Sequence, residues 1–185
     1  MGRRHSSLFS LDLRQYVVSS VFFALTKEEE AKLLAASPGD AVVEIITEEI
    51  EERWDRDWLV EMDKSWDAVH RCLGDGSLRT SQPSLTAKAV LGGRQLSSGA
   101  DWIVSYLTAD EVKQVAAAIA PIDRSEFRRR YFGLRKKFLW FNRTEYDGPI
   151  GEEDFQYSWS NFEEMRLFFS KVAAAHRAIV FSVDQ

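Results

Sequence analysis

The sequence predicts an α+β protein, or a three-layer α/β arrangement, with a mixed sheet of about four strands and helices packed on it. Three observations predict this class. Short runs rich in β-branched and aromatic residues alternate with stretches of helical periodicity. Thr…Glu capping pairs stand at two of the junctions between them. Strands separated by helices bury their apolar surfaces by laying those helices on a sheet.

The elements follow in chain order. YVVSSVFFAL (16–25) is β-branched and aromatic and stops at Thr26, as a buried strand does. Thr26 and Glu29 form a capping box for a helix that buries Leu33 and Leu34 and ends at Ser37-Pro38-Gly39. In AVVEIITEEIEERW, Val43, Ile46, Ile50 and Trp54 recur at helical spacing with acids on the other face. In MDKSWDAVHRCL (62–73), Asp63 is placed as an N-cap, Gly74 as the residue after the helix, and Trp66, Val69 and Leu73 as the apolar stripe. WIVSYL (102–107) is a second strand. Its capping box, Thr108 and Glu111, opens a helix with Val112, Val115, Ala116 and Ile119 on one face. After Pro121, Asp123 caps a helix through SEFRRRYF. A loop, TEYDGPIGEED, leads to a third Ser/Glu box at Ser160 and Glu163, with Phe162, Met165, Phe169 and Val172 as the stripe behind it. AIVFSV (178–183) reads as the final strand.

A chain of 185 residues is one domain by length, with residues 1–15 as a mobile N-terminal extension and 16–185 as the folded unit. The net charge of −5 argues against a protein that coats nucleic acid through its overall field. The single cysteine, Cys72, and three scattered histidines (His5, His70, His176) match no zinc spacing, so neither a metal nor a cofactor is expected. Arg3-Arg4 ahead of an apolar run resembles a signal sequence, but Asp12, Arg14 and Gln15 interrupt it and no A-x-A site follows. No apolar run is long enough to span a membrane, and the expected compartment is the cytoplasm.

The densest chemistry lies in MDKSWDAVHRCL. Asp67 stands three residues before His70 and can reach its ring, which would orient the imidazole and raise its basicity as a general base requires. The plainer reading, which carries more weight, is a histidine at a helix C-terminus, favoured by the dipole and one acid neighbour. Trp66 is most simply a core anchor and Asp63 a cap. Cys72 lies on a different face from His70, which disfavours a Cys–His dyad. Gly92-Gly93, after an apolar run, permit close backbone approach, for a turn or for a ligand.

These residues carry a family resemblance. Asp63-Lys64-x-Trp66-x-x-x-His70 with Leu73-x-x-Gly76, then Ala89-Val90-Leu91-Gly92-Gly93, resemble the pattern of the YfbM-like family, a bacterial domain of unknown function numbered 1877. Tyr106-Leu107-Thr108-x-x-Glu111-Val112, Ile122-Asp123-Arg124 and Ala173-Ala174-Ala175-x-Arg177-Ala178 continue the match, which covers roughly residues 17–183. The resemblance implies a compact bacterial α/β protein and carries no activity, cofactor or catalytic residue with it. Two departures stand out: residues 1–16 precede the usual start, and the usual Leu-Thr-Gly after the histidine helix reads Leu73-Gly74-Asp75-Gly76.

Charge is segregated along the chain. Residues 40–63 hold ten acids against two arginines, a net of −8, and residues 123–143 hold eight bases against two acids, a net of +6. Phe127, Tyr131, Phe132, Phe138, Trp140 and Phe141 interleave with those bases, as on single-strand nucleic-acid platforms. The acidic total favours a solvated basic face, or a charged surface for a protein partner, over nucleic acid. The functional expectation is therefore a non-enzymatic protein-interaction or ligand-binding module. The alternative is a small hydrolase or transferase with a pocket near His70, Gly92, Gly93 and Tyr106. The candidate pocket or interaction residues are Asp63, Lys64, Trp66, Asp67, His70, Gly92, Gly93 and Tyr106.

Overall fold

A computed structural model describes residues 20–78, 83–98, 102–134, 146 and 148–184. Five strands form one sheet in the order β2-β1-β5-β4-β3, where β1 is Ser20–Ala24, β2 Leu59–Glu61, β3 Arg94–Ser98, β4 Trp102–Leu107 and β5 Ile179–Asp184. The α+β class holds, with two corrections. There are five strands rather than about four, and every pairing is antiparallel rather than mixed.

Both differences have a physical source. The added strands are β2, only three residues long, and β3, whose RQLSS sequence carries little strand signal and whose pairing with β4 is broken by an irregularity between Gln95 and Ser97. A single helical return makes neighbouring strands parallel. Here β1 and β2 are separated by α1 (Lys27–Ala35), α2 (Asp40–Ile45) and α3 (Glu51–Arg53), and β4 and β5 by α5 (Ala109–Ile119), α6 (Arg124–Gly133) and α7 (Glu152–Ala174). With several helices in each connection, neither is the single-helix crossover that fixes a parallel return, and both pairs run antiparallel.

Alternation along the strands sorts the core into two halves. Val21, Phe23, Leu25, Val104, Tyr106 and Val180 face α1 to α3, where Leu33, Val42, Ile46 and Ile50 are buried. Phe22, Ala24, Leu107, Ile179, Phe181 and Val183 face α5, α6, α7 and α4 (Ser65–Leu73). The sheet therefore lies between two helical layers, which is why all five residues of the inner strand β1 are buried.

Local chemistry explains most element boundaries. Both predicted Thr/Glu boxes close reciprocally, Thr26 with Glu29 and Thr108 with Glu111. Asp123 accepts from the Glu126 amide at 2.8 Å to cap α6. Two helices depart from expectation. The buried positions after Gly39 are 42, 46 and 50, not 43, 46, 50 and 54. A spacing of four overshoots an α-helical turn, and a π turn over Ile46–Ile50 absorbs the excess before Trp54 ends the run in a left-handed conformation (φ 40°). The Ser160/Glu163 box does not start a helix, because α7 begins at Glu152 and runs through it for 23 residues. Its first turn carries Glu152, Glu153 and Asp154, which the helix dipole favours, and Phe155, Trp159 and Phe162 extend the apolar stripe without a break.

Candidate functional site around α4

Helix α4 is held at both ends by distant parts of the chain. At its start Asp63 adopts a left-handed conformation (φ 44°) rather than an N-cap geometry, and Lys64 precedes the helix without a side-chain cap. The Asp63 carboxylate instead accepts from the Tyr157 hydroxyl on α7 at 2.6 Å, and its carbonyl accepts from Ser20 Oγ on β1 at 2.6 Å. Burial, reinforced by the Asp63 carboxylate, pushes the Tyr157 phenol up to about 12, so it remains a donor. Lys64 is exposed. Trp66 is 8% exposed and packs against Phe181 on β5, with ring centroids 6.2 Å apart.

The expected Asp67–His70 contact is replaced by another. Asp67 Oδ1 accepts from Arg71 Nε at 2.6 Å, one residue further along the same helix face. Arg71, only 5% exposed, also donates to the Gly76 carbonyl at 3.2 Å and lies over the Tyr146 ring. An arginine four residues after an acid outcompetes a histidine three residues after it, because the pair is charge-assisted.

His70 is 1% exposed, and its Nδ1 has no hydrogen-bond partner. Burial lowers its pKa to about 4, with the Arg71 cation adding to the effect and Asp75 opposing it. The ring is therefore neutral at pH 7 and a weaker base than a free imidazole, the reverse of what an orienting acid would produce. His70 stands in the last turn of α4, as the plainer reading places it, but the ring is buried and uncharged at pH 7, so the helix dipole has no cation there to favour. Gly74 amide donates to the His70 carbonyl, and the Ser84 and Thr86 hydroxyls both reach the Leu73 carbonyl. Gly74 ends the helix without a left-handed conformation; the left-handed glycine of this turn is Gly76 (φ 91°).

Gly92 and Gly93 pack on the chain itself, and the Tyr106 side chain lies across the sheet from α4. A Cβ on Gly93 would sit 2.1 Å from the Tyr106 carbonyl oxygen, and one on Gly92 2.3 Å from Lys88 Cα. The close approach these glycines permit is to the protein's own chain. The Tyr106 ring projects to the α1 side of the sheet, where its hydroxyl donates to Glu30. Burial and that carboxylate push its phenol pKa upward. The sheet thus stands between the Tyr106 side chain and the layer that contains α4 and His70.

Sequence reasoning missed Tyr157, Arg71, Tyr146 and Ser20. Arg71 had a legible signal, its i+4 spacing from Asp67. Tyr157 had none, as it is 94 residues from Asp63. Among the described residues, no three His, Cys, Asp or Glu side chains are placed to hold a metal ion, and no helix is long and apolar enough to cross a membrane.

A family model described as a domain of unknown function (DUF1877) matches residues 18–182. The chain belongs to the DUF1877 family. A solved structure similar to this DUF1877 chain is the protein of unknown function YfbM from Escherichia coli, with a TM-score of 0.58 and 16% identity over 89% of this chain and 99% of that one. At that identity the likeness is one of fold. No curated protein matches the sequence. Within this DUF1877 domain, the residues that carried the family resemblance around α4 hold a helix in place: Asp63 through Tyr157, Trp66 through Phe181 and His70 by burial.

Proposed function

We propose that this DUF1877 protein is a non-enzymatic interaction module that meets a basic segment of a protein partner on the outer face of α2 and α3. The observation that carries the reading is the separation of charge by the sheet. Asp40, Glu44, Glu48 and Glu52, spaced by four, are all exposed on one layer, while Arg124, Arg128 and Arg129 are exposed on α6 in the other. On the basic helix Arg128 pairs with Glu152 at 2.7 Å, Arg129 and Arg130 share Glu126, and Arg124 donates to the Gln156 amide oxygen at 2.5 Å. The rest of the basic run, residues 135–143, lies outside the described residues. On the acidic layer, Lys32 pairs with Glu49 and Arg53 with Glu29, while the row 40, 44, 48, 52 makes no ion pair among the described residues. Like charges at this spacing cost a helix about 0.2–0.5 kcal/mol per pair, which a cationic partner would relieve.

A hydrolase or transferase built on His70, Gly92, Gly93 and Tyr106 draws less support. Its base would be a buried imidazole of lowered pKa, and its tyrosine projects to the other side of the sheet.

The test is calorimetric titration with a lysine- and arginine-rich peptide at two ionic strengths. The variant E44Q/E48Q/E52Q is compared with D110N/E153Q/E164Q, which removes the same charge elsewhere. The reading expects the first variant to lose most of the affinity and the second little. Equal losses would mean that only net charge matters and would overturn it.

A further inference from the structure

We draw no further inference here: the strongest candidate, the outer edge of β2, where the Leu59 and Glu61 backbone groups point away from β1, carries no proposal because Leu59 is itself buried and nothing among the described residues shows what covers that edge.

Discussion

The two faces of the sheet are built differently. On the α4–α7 face the core is aromatic and deep. Phe127 stacks on Phe162 at 4.8 Å and 11°, Phe22 meets Phe169 and Phe181, and Trp66 closes one side. On the α1–α3 face a single helical layer buries mainly aliphatic side chains, Leu33, Val42, Ile46 and Ile50, with Trp54 packed edge-on against Phe23. The aromatic face locks distant segments together through shape, while the thin face keeps its helices by local caps and a narrow stripe. That difference predicts where the molecule tolerates change.

The largest effect should come from Trp66→Ala. Removing a buried large aromatic costs about 3–5 kcal/mol, because the rings around it cannot collapse into the space. Denaturant unfolding measures this, and a cost below about 1 kcal/mol would show that α4 is not anchored through Trp66. Ile46→Ala on the other face should cost less, roughly 2 kcal/mol, at the low end for such deletions, since a single layer can settle inward. If Ile46→Ala proved as costly as Trp66→Ala, the contrast between the faces would fail.

The contrast also explains what could be read from the sequence. Elements governed by local rules were legible: the two Thr/Glu boxes, the Asp123 cap, the stripe at Phe162, Met165, Phe169 and Val172, and the strands at 20–24, 102–107 and 179–184. Elements governed by distant partners were not. β2 is three residues that pair because β1 offers them an edge, and Asp63 is drawn out of a capping role by a tyrosine on α7. The candidate site divides the same way. Trp66 as a core anchor followed from its stripe, whereas the burial of His70, one step around the helix from Trp66, did not. The expected extension at residues 1–15 lies outside the described residues.

A pair of smaller substitutions sharpens the comparison. Thr26→Ala and Thr108→Ala each break one capping box, and a lost cap costs about 1 kcal/mol. Because caps act on their own helix, the two costs should agree within about 0.5 kcal/mol despite the different cores behind them. A much larger cost for Thr26→Ala would mean that α1 relies on its cap to stay docked, as a thin layer would require. A larger cost for Thr108→Ala would contradict that account.

The smallest effect is the most specific, because its sign is opposite on the two faces. Glu48 stands between Glu44 and Glu52, four residues from each, and all three are exposed. Glu48→Gln removes two like-charge contacts and should stabilise the protein by a few tenths of a kcal/mol at low salt. Glu153 is exposed in the first turn of α7, where a carboxylate meets the positive end of the helix dipole. Glu153→Gln should therefore destabilise by about 0.3–0.5 kcal/mol. Both effects should fade as ionic strength rises, since exposed charges are screened within about 10 Å at 0.1 M salt. Thermal melts at low and high salt separate the outcomes. If Glu48→Gln destabilised the protein, the acidic row would be serving the fold, and its repulsion could no longer be assigned to a waiting cationic partner.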